Sequence, residues 1–353
     1  MLMIPPSMRR RFKRLTLTVI ALGCGLFAGR SNSLISSAFA DSTAGESAGA
    51  ECVVSGRGLL EKGVQIFATA DGTLAYAGFS SQEVPVEVSD FPADPTAGRA
   101  RVKTTGGFRI EGWIDPLKVP LSAKHDVPVV ADHVWIGRGE TLKLKGASAG
   151  KLVVEATIVS TQQRLRGKAS CSFFAIGPVP LGDVEHTSSG KSYVLKRTSL
   201  DLFAESGDTS SIYTLEIPVA ETGLLLHATE TRGAYLHVTH QGPIVVDAWA
   251  KSADLKLFPK GEMLDTVSAT SMITMLPAKL KVDGATKELK ASKDTQIKLG
   301  PSDTAKSIGT IIGGADVIVI DTIGGWSRVY PKGLEIVPPE GRDFWVKATD
   351  LGM

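Results

Sequence analysis

Ile66-Phe67-Ala68 and Leu202-Phe203-Ala204 open two stretches of this 353-residue chain that lie 136 residues apart and follow one plan. In both stretches the triplet is followed, at the same offsets, by a valine, a glycine and a tryptophan. These residues are Val102, Gly106 and Trp113 in the first stretch and Val238, Gly242 and Trp249 in the second. Such an internal period is typical of a structural unit that occurs more than once. The sequence therefore predicts an array of small domains.

Short apolar runs dominate the chain around these two stretches. The runs at 84–88, 151–156 and 316–321 are β-branched or alternating, and glycine, aspartate, proline and serine bound them. Few windows carry an apolar stripe at helical spacing that is long enough for a helix. The predicted fold class is mostly β.

Two further units are predicted from weaker signals. The step of six residues from Trp113 to Val119 recurs from Trp249 to Leu255 and again from Trp345 to Leu351. A remaining unit rests on the spacing of its apolar residues alone. The predicted units are 58–120, 121–178, 194–256 and 294–353, with a linker at 179–193 and a connection at 257–293. The connection is compatible with a short helix or a hairpin.

Two glycine-tryptophan motifs in the predicted units resemble those of a known domain family. Gly325-Trp326-Ser327-Arg328-Val329 and Gly112-Trp113-Ile114 resemble two strands of the bacterial SH3-like (SH3b) family, and Phe344-Trp345-Val346 resembles the second more loosely. The resemblance implies tandem small SH3-like β-barrels joined by short linkers. It also implies a binding module, since exported members of the family are associated with the cell wall, with protein partners or with hydrolases. Unit 121–178 departs from the pattern because it has no tryptophan at either of the two motif positions.

The tryptophans of these phrases are the candidate ligand-binding residues. Trp113, Trp249, Trp326 and Trp345 are predicted either to line a groove for peptide or glycan, or to fill the interiors of the barrels. The sequence leaves both interpretations open.

The amino-terminal forty residues have the composition of an export signal. A basic segment at 9–14 precedes an apolar segment at 15–29, and Ala38-Phe39-Ala40 is a small-residue cleavage site. The general secretory route and the twin-arginine route both remain open, whereas Ala21 disfavours a lipid anchor on Cys24. We expect an exported protein, periplasmic or extracellular, with a flexible leader at 41–57.

Removal of the signal changes the charge balance of the chain. The whole chain has 39 Lys and Arg against 37 Asp and Glu, and six of the basic residues lie in 1–40. The mildly acidic remainder argues against nucleic acid as a partner. No later run is long and apolar enough to predict a transmembrane segment. Seven basic residues nevertheless cluster, and on alternating strand positions they would face an anionic polymer: Arg138, Lys143, Lys145, Lys151, Arg164, Arg166 and Lys168.

Two cysteines remain after the signal, and they are predicted to pair. In an oxidising compartment, Cys52 and Cys171 are expected to form a disulfide that closes a loop of 119 residues. Such a pair leaves no thiolate for catalysis.

The sequence predicts no catalytic, cofactor-binding or metal-binding residues. His237 and His240 stand three positions apart, which places them on opposite faces of a strand and makes a shared zinc poor geometry. No nucleophile elbow or phosphate-binding glycine loop is present. We therefore expect a non-enzymatic binding or scaffold protein that engages cell-wall polymer or an envelope protein. The alternatives are an assembly partner without wall affinity and a hydrolase hidden in 257–293, a segment without His or Cys.

Overall fold

The computed structural model describes residues 54–80, 84–180, 190–260 and 287–353. In these ranges the chain is mostly β, as the sequence predicts, and its strands are connected by turns and by four short 3-10 helices. The predicted export signal and Cys52 lie outside the described residues. No helix of the described part is long and apolar enough to cross a membrane.

The first six strands form one run of antiparallel neighbours. They are β1 Gly56–Leu60, β2 Gln65–Phe67, β3 Ala75–Phe79, β4 Val84–Ser89, β5 Ala100–Thr104 and β6 Phe108–Ile114. Their spatial order is β1-β4-β5-β6-β2-β3. A 3-10 helix at Pro116–Lys118 follows β6, and the carboxylate of Asp115 accepts a hydrogen bond from the Leu117 amide at its start.

The second set contains seven strands. They are β7 Pro120–Ala123, β8 Val127–Val130, β9 Val134–Ile136, β10 Thr141–Ser148, β11 Lys151–Thr157, β12 Arg164–Ala169 and β13 Phe174–Ile176. The spatial order is β13-β7-β10-β11-β12, with β8 and β9 forming a hairpin of their own. A 3-10 helix at Cys171–Phe173 separates β12 from β13.

The third set has the same number of strands. They are β14 Lys191–Leu195, β15 Ser199–Phe203, β16 Tyr213–Glu216, β17 Leu226–Arg232, β18 Tyr235–His240, β19 Ile244–Lys251 and β20 Leu255–Leu257. The spatial order is β20-β14-β17-β18-β19-β15-β16. A 3-10 helix at Ser252–Asp254 separates β19 from β20.

The fourth set completes the chain. Its strands are β21 Lys287–Lys290, β22 Thr295–Lys298, β23 Ser307–Ile311, β24 Asp316–Ile323, β25 Trp326–Pro331, β26 Ile336–Val337 and β27 Phe344–Lys347. The spatial order is β21-β24-β25-β27-β22-β23. A 3-10 helix at Ala348–Leu351 follows β27.

The first, third and fourth sets share one pairing order. In each, the first strand pairs with the fourth, two later strands follow, and the second and third strands complete the row; in the fourth set the two later strands are β25 and β27, because β26 pairs with β3. A 3-10 helix follows the strand that pairs with the second strand. Among the described strands, however, no row of paired strands closes on itself. The predicted unit boundaries stay a prediction.

Backbone pairing also joins the sets to one another. β1 pairs in parallel with β13, β9 pairs with β19, and β23 pairs with β6. β26 of the fourth set adds a further pairing to β3 of the first. The described sets therefore contact each other through main-chain hydrogen bonds in addition to covalent connections.

Two glycines allow the closest of these approaches. A β-carbon at Gly309 would lie far inside contact distance of the Arg109 carbonyl oxygen, across the pairing of β23 with β6. A β-carbon at Gly137 would collide in the same way with the carbonyl oxygen of Gly242, beside the pairing of β9 with β19. Only a residue without a side chain fits at these positions.

Alternating strand positions supply the hydrophobic core. On β5 and β6, the buried residues Val102, Phe108, Ile110 and Ile114 alternate with polar ones that face outward. The hydroxyl of the fully buried Thr104 donates to the Phe108 carbonyl and accepts from the Ile110 amide, so this polar group is satisfied inside the core.

Three predicted connecting segments contain ordered strand residues. Residues 54–57 of the predicted leader include the buried Val54 and the start of β1, because β4 and β13 flank that strand. β14 begins within the predicted linker, and β21 occupies residues 287–290 of the predicted connection. Residues 181–189 and 261–286 lie outside the described residues.

Candidate anion-binding surface

Three neighbouring strands bring the predicted basic cluster to one face of a sheet. β11 lies between β10 and β12, with Lys143 opposite Glu155 and Glu155 opposite Arg166. Residues that are directly opposite in a sheet project to the same face. These rungs therefore fix which side chains of the three strands lie together.

The inner face of this sheet is apolar and its outer face is cationic. Leu142, Leu144, Val154 and Leu165 point inward and belong to the hydrophobic core. Six cationic side chains alternate with such inner residues and are exposed: Lys143, Lys145, Lys151, Arg164, Arg166 and Lys168. We call this outer side of β10, β11 and β12 the cationic face.

One carboxylate interrupts the cationic face. Glu155 lies on the central strand, and its Oε1 atom is 3.1 Å from Nζ of Lys145. Lys168 donates a hydrogen bond of 3.2 Å to the hydroxyl of Ser148. With six cations and one carboxylate the face has a formal charge of +5, although the chain after residue 40 has more acidic than basic residues.

Arg138 is the member of the predicted cluster that lies elsewhere. It belongs to the turn between β9 and β10, and its guanidinium donates to the carbonyl oxygen of Pro180. Its own amide donates to the carboxylate of Asp126. The strand alternation that places the other six side chains does not extend to this turn.

In the first set, the outer face of β4, β5 and β6 carries positive and negative charges in balance. There Lys103 and Arg101 both approach Glu111, at 2.7 and 3.6 Å, and Arg101 is 3.9 Å from Asp90. The hydrogen bond from Lys103 lowers the pKa of the Glu111 carboxyl, which outweighs the opposite effect of its partial burial. A cavity of about 650 Å³ in this face is lined by both signs of charge, including Glu87. The cations of this face are therefore neutralised by carboxylates beside them.

The four predicted groove tryptophans lie on outer sheet faces. Trp113, Trp249 and Trp345 each stand three residues before a 3-10 helix, next to inward-facing core residues. None of these three, nor Trp326, belongs to the continuous hydrophobic core. In the second set, Lys168 occupies the position three residues before the 3-10 helix that begins at Cys171, where the other sets have a tryptophan.

These tryptophans are covered by neighbours on the outer faces. Trp249, Trp326 and Trp345 are 5, 9 and 9% exposed, whereas Trp113 is half-buried. Lys347 lies 5.7 Å from the centre of the Trp326 ring. The structure thus distributes the predicted groove residues over three sets, with Trp326 and Trp345 both in the fourth, and leaves little free ring surface on three of them.

Trp249 illustrates how such a ring is covered. His237 packs against it with ring centres 5.0 Å apart, and the Arg232 guanidinium lies 4.9 Å from its centre. His237 is held in turn by Asp247, whose Oδ1 is 2.8 Å from Nε2, and by the hydroxyl of Thr229, 2.9 Å from Nδ1. His237 and Arg232 together hold the Trp249 ring in place.

We expect Trp249→Ala to lower the free energy of unfolding by about 3 kcal/mol, because a buried indole and its ring contacts are lost. Denaturant unfolding measures the change, and Trp113→Ala, at a half-buried ring, is the matched control with a smaller loss. An unchanged unfolding midpoint for Trp249→Ala, together with lost ligand binding, would instead support the groove interpretation.

His227, His237 and His240 have separate environments. His227 Nδ1 lies 3.2 Å from the Ser192 hydroxyl, and His240 Nδ1 lies 2.7 Å from the Leu225 carbonyl oxygen. Across the residues that the structure describes, no group of three or more His, Cys, Asp or Glu side chains is arranged to hold a metal ion.

Cys171 begins the 3-10 helix that precedes β13 and packs against the hydrophobic core. β1 and β13 are parallel, with Gly56 opposite Ile176, and Cys52 lies outside the described residues. Cys52 lies four residues before Gly56, and Cys171 lies five before Ile176. The predicted disulfide stays a prediction.

Comparisons with known proteins give little guidance. No family model matches the chain, and no curated protein matches it. Among solved structures, NlpC2 from Trichomonas vaginalis matches with 13% sequence identity and a TM-score of 0.17, over 46% of this chain and 48% of that one. A score this low supports no argument about fold or function.

Proposed function

We propose that this chain is an exported, non-enzymatic binding or scaffold protein of tandem SH3-like units, and that it holds anionic material of the cell envelope on its cationic face. The observation that carries the proposal is the formal charge of +5 on one side of β10, β11 and β12. Such a concentration of charge attracts an anionic partner and repels cationic ones.

The assignment to SH3-like units is supported by local sequence and by pairing. The glycine-tryptophan phrases around Trp113 and Trp326 resemble that family, and three of the four strand sets share one spatial order with a 3-10 helix at the same place. Export is supported by the basic, apolar and small-residue segments of residues 1–40.

The cationic face also supports a partner in the envelope rather than a small substrate. Its cationic side chains stand exposed on a sheet surface, and Lys145 is 38% exposed even though it pairs with Glu155. Exposed charges of this kind give fast and salt-sensitive association, with each pair contributing little alone. A partner that spans several of them gains by summation.

Sedimentation with purified sacculi tests the proposal. We expect the wild-type protein to be retained at low salt and released as salt rises, and the triple variant Arg164→Glu, Arg166→Glu and Lys168→Glu to lose at least about tenfold in retention. The matched control reverses three exposed cations elsewhere, Lys62→Glu, Lys191→Glu and Arg197→Glu, and should be retained.

Three results would contradict the proposal. Salt-insensitive retention, or equal loss in both triple variants, would show that the cationic face is not the binding surface. Capture of a cross-linked envelope protein without affinity for sacculi would select the assembly-partner alternative.

A further inference from the structure

The geometry of the cationic face points to a more specific ligand, and this inference rests on the proposed function. We infer that the ligand is a linear phosphodiester-type polyanion that lies along β12 and is read through its backbone charges alone. Three features carry the inference: the spacing of the cations on β12, the position of Glu155, and the side-chain types of the whole face.

β12 presents an unbroken row of positive charge. Arg164, Arg166 and Lys168 occupy every second position of the strand and are exposed, while Leu165 and Ala169 point into the core. Alternate residues of an antiparallel strand are about 6.8 Å apart. That distance is close to the separation of successive phosphates along an extended phosphodiester chain, so each cation meets its own phosphate.

The direction across the strands offers no comparable row of positive charge. The rung that runs from Lys143 through Glu155 to Arg166 has a carboxylate at its centre. A polyanion laid across the strands would bring a phosphate against that carboxylate, at a cost in electrostatic energy. The favourable path therefore follows the edge strand β12.

The composition of the face disfavours recognition of bases by stacking on aromatic rings. Its outward residues besides the six cations and Glu155 are small or aliphatic, namely Thr141, Ser148, Val153 and Thr157. Proteins that hold single-stranded nucleic acid stack bases on aromatic side chains, which contribute roughly 1–3 kcal/mol per base. With no aromatic ring among these residues, the face offers more to the backbone charges of a polyanion than to its bases.

A cavity of about 280 Å³ beside β10 is the competing site. It is lined by Lys118, Lys143 and Lys145, and also by Glu61. A single small anion would fit there, away from β12. The cavity and the row on β12 contain different cations, so substitutions at one site leave the other intact.

An abasic oligodeoxynucleotide long enough to span β12 is the direct probe, compared with inorganic phosphate and with oligothymidylate of equal length. The along-strand variant is Arg164→Gln, Arg166→Gln and Lys168→Gln, and its control of equal charge is Lys143→Gln, Lys145→Gln and Lys151→Gln. Fluorescence anisotropy over a salt series gives the affinity, and circular dichroism with thermal melting establishes that each variant is folded.

We expect the abasic oligomer to bind with a slope of log K against log salt of about −2, as three phosphate contacts imply, or roughly a twentyfold loss between 50 and 200 mM salt. The along-strand variant should abolish binding, and the control variant should retain most of it. Oligothymidylate should bind no more tightly than the abasic oligomer.

Four outcomes would overturn the inference. Equal losses in the two variants would show that the polyanion has no preferred path, and a larger loss in the control would place it at the cavity beside β10. Tighter binding of oligothymidylate by tenfold or more would identify bases as ligands. Saturable binding of inorganic phosphate with the same affinity would replace the polymer by a single anion. If the protein still binds sacculi while any of these results is obtained, the proposed function stands. If the protein binds neither sacculi nor the abasic oligomer, the proposed function is removed as well.

Discussion

Replacing Gly309 by alanine is expected to separate β23 from β6 and to lower the free energy of unfolding by at least about 2 kcal/mol. A β-carbon at this position meets the Arg109 carbonyl oxygen and the Ile110 α-carbon, which belong to backbone that cannot rotate away. The two strands can accommodate it only by moving apart. That movement breaks the pairing of Gly309 with Ile110 and of Ile311 with Phe108.

Gly106→Ala is the matched control for this variant. Gly106 lies in the turn before β6, and no atom lies within 4 Å of a β-carbon built there. Hydrogen exchange should show lost protection at the amides of β23 in Gly309→Ala and normal protection in Gly106→Ala. Similar stability and protection in both variants would contradict the tight approach of the first and fourth sets.

Loss of the predicted disulfide is expected to have the largest effect on stability. Joining Cys52 to Cys171 closes a loop of 119 residues, which on the loop-entropy model contributes up to about 4–5 kcal/mol. Cys171→Ser, or reduction of the wild-type protein, should therefore lower the melting temperature, and reduction of Cys171→Ser should lower it no further. A non-reduced peptide map with both thiols free would refute the pairing.

The β class and the cationic face could be predicted because both follow from local alternation. Arg164, Arg166 and Lys168 alternate with Leu165 and Ala169, and this period of two places the cations on one side wherever the strand lies. The opposite holds for Arg138, whose turn carries no such period and directs the side chain to the Pro180 carbonyl.

The pairings between the sets could not be predicted. The sequence of β6 gives no sign that Phe108 faces Ile311, because the hydrogen bonds that join the strands come from backbone groups common to all residues. The one available signal was glycine, since Gly137 and Gly309 stand in segments that otherwise read as strands. Without the partner strand, such a glycine cannot be told from a turn residue.

The tryptophans show a different limit. Local sequence places Trp249 beside the inward-facing Ala248 and Ala250 on β19, which assigns it to the outer face once the inner face is known. Its burial then depends on Arg232 and His237, which arrive from two neighbouring strands. The sequence alone does not give these two contacts, and the choice between groove and barrel interior stays a prediction.

The pairing of β6 with β23 has a consequence for the order in which the chain folds. Synthesis exposes Phe108 and Arg109 long before Thr310 and Ile311 exist to pair with them. During that interval this part of β6 is an open strand edge, the kind of surface on which unfinished chains aggregate. The first set of strands therefore reaches its final form only when the last set is present, and a fragment that stops before β22 leaves the edge permanently open.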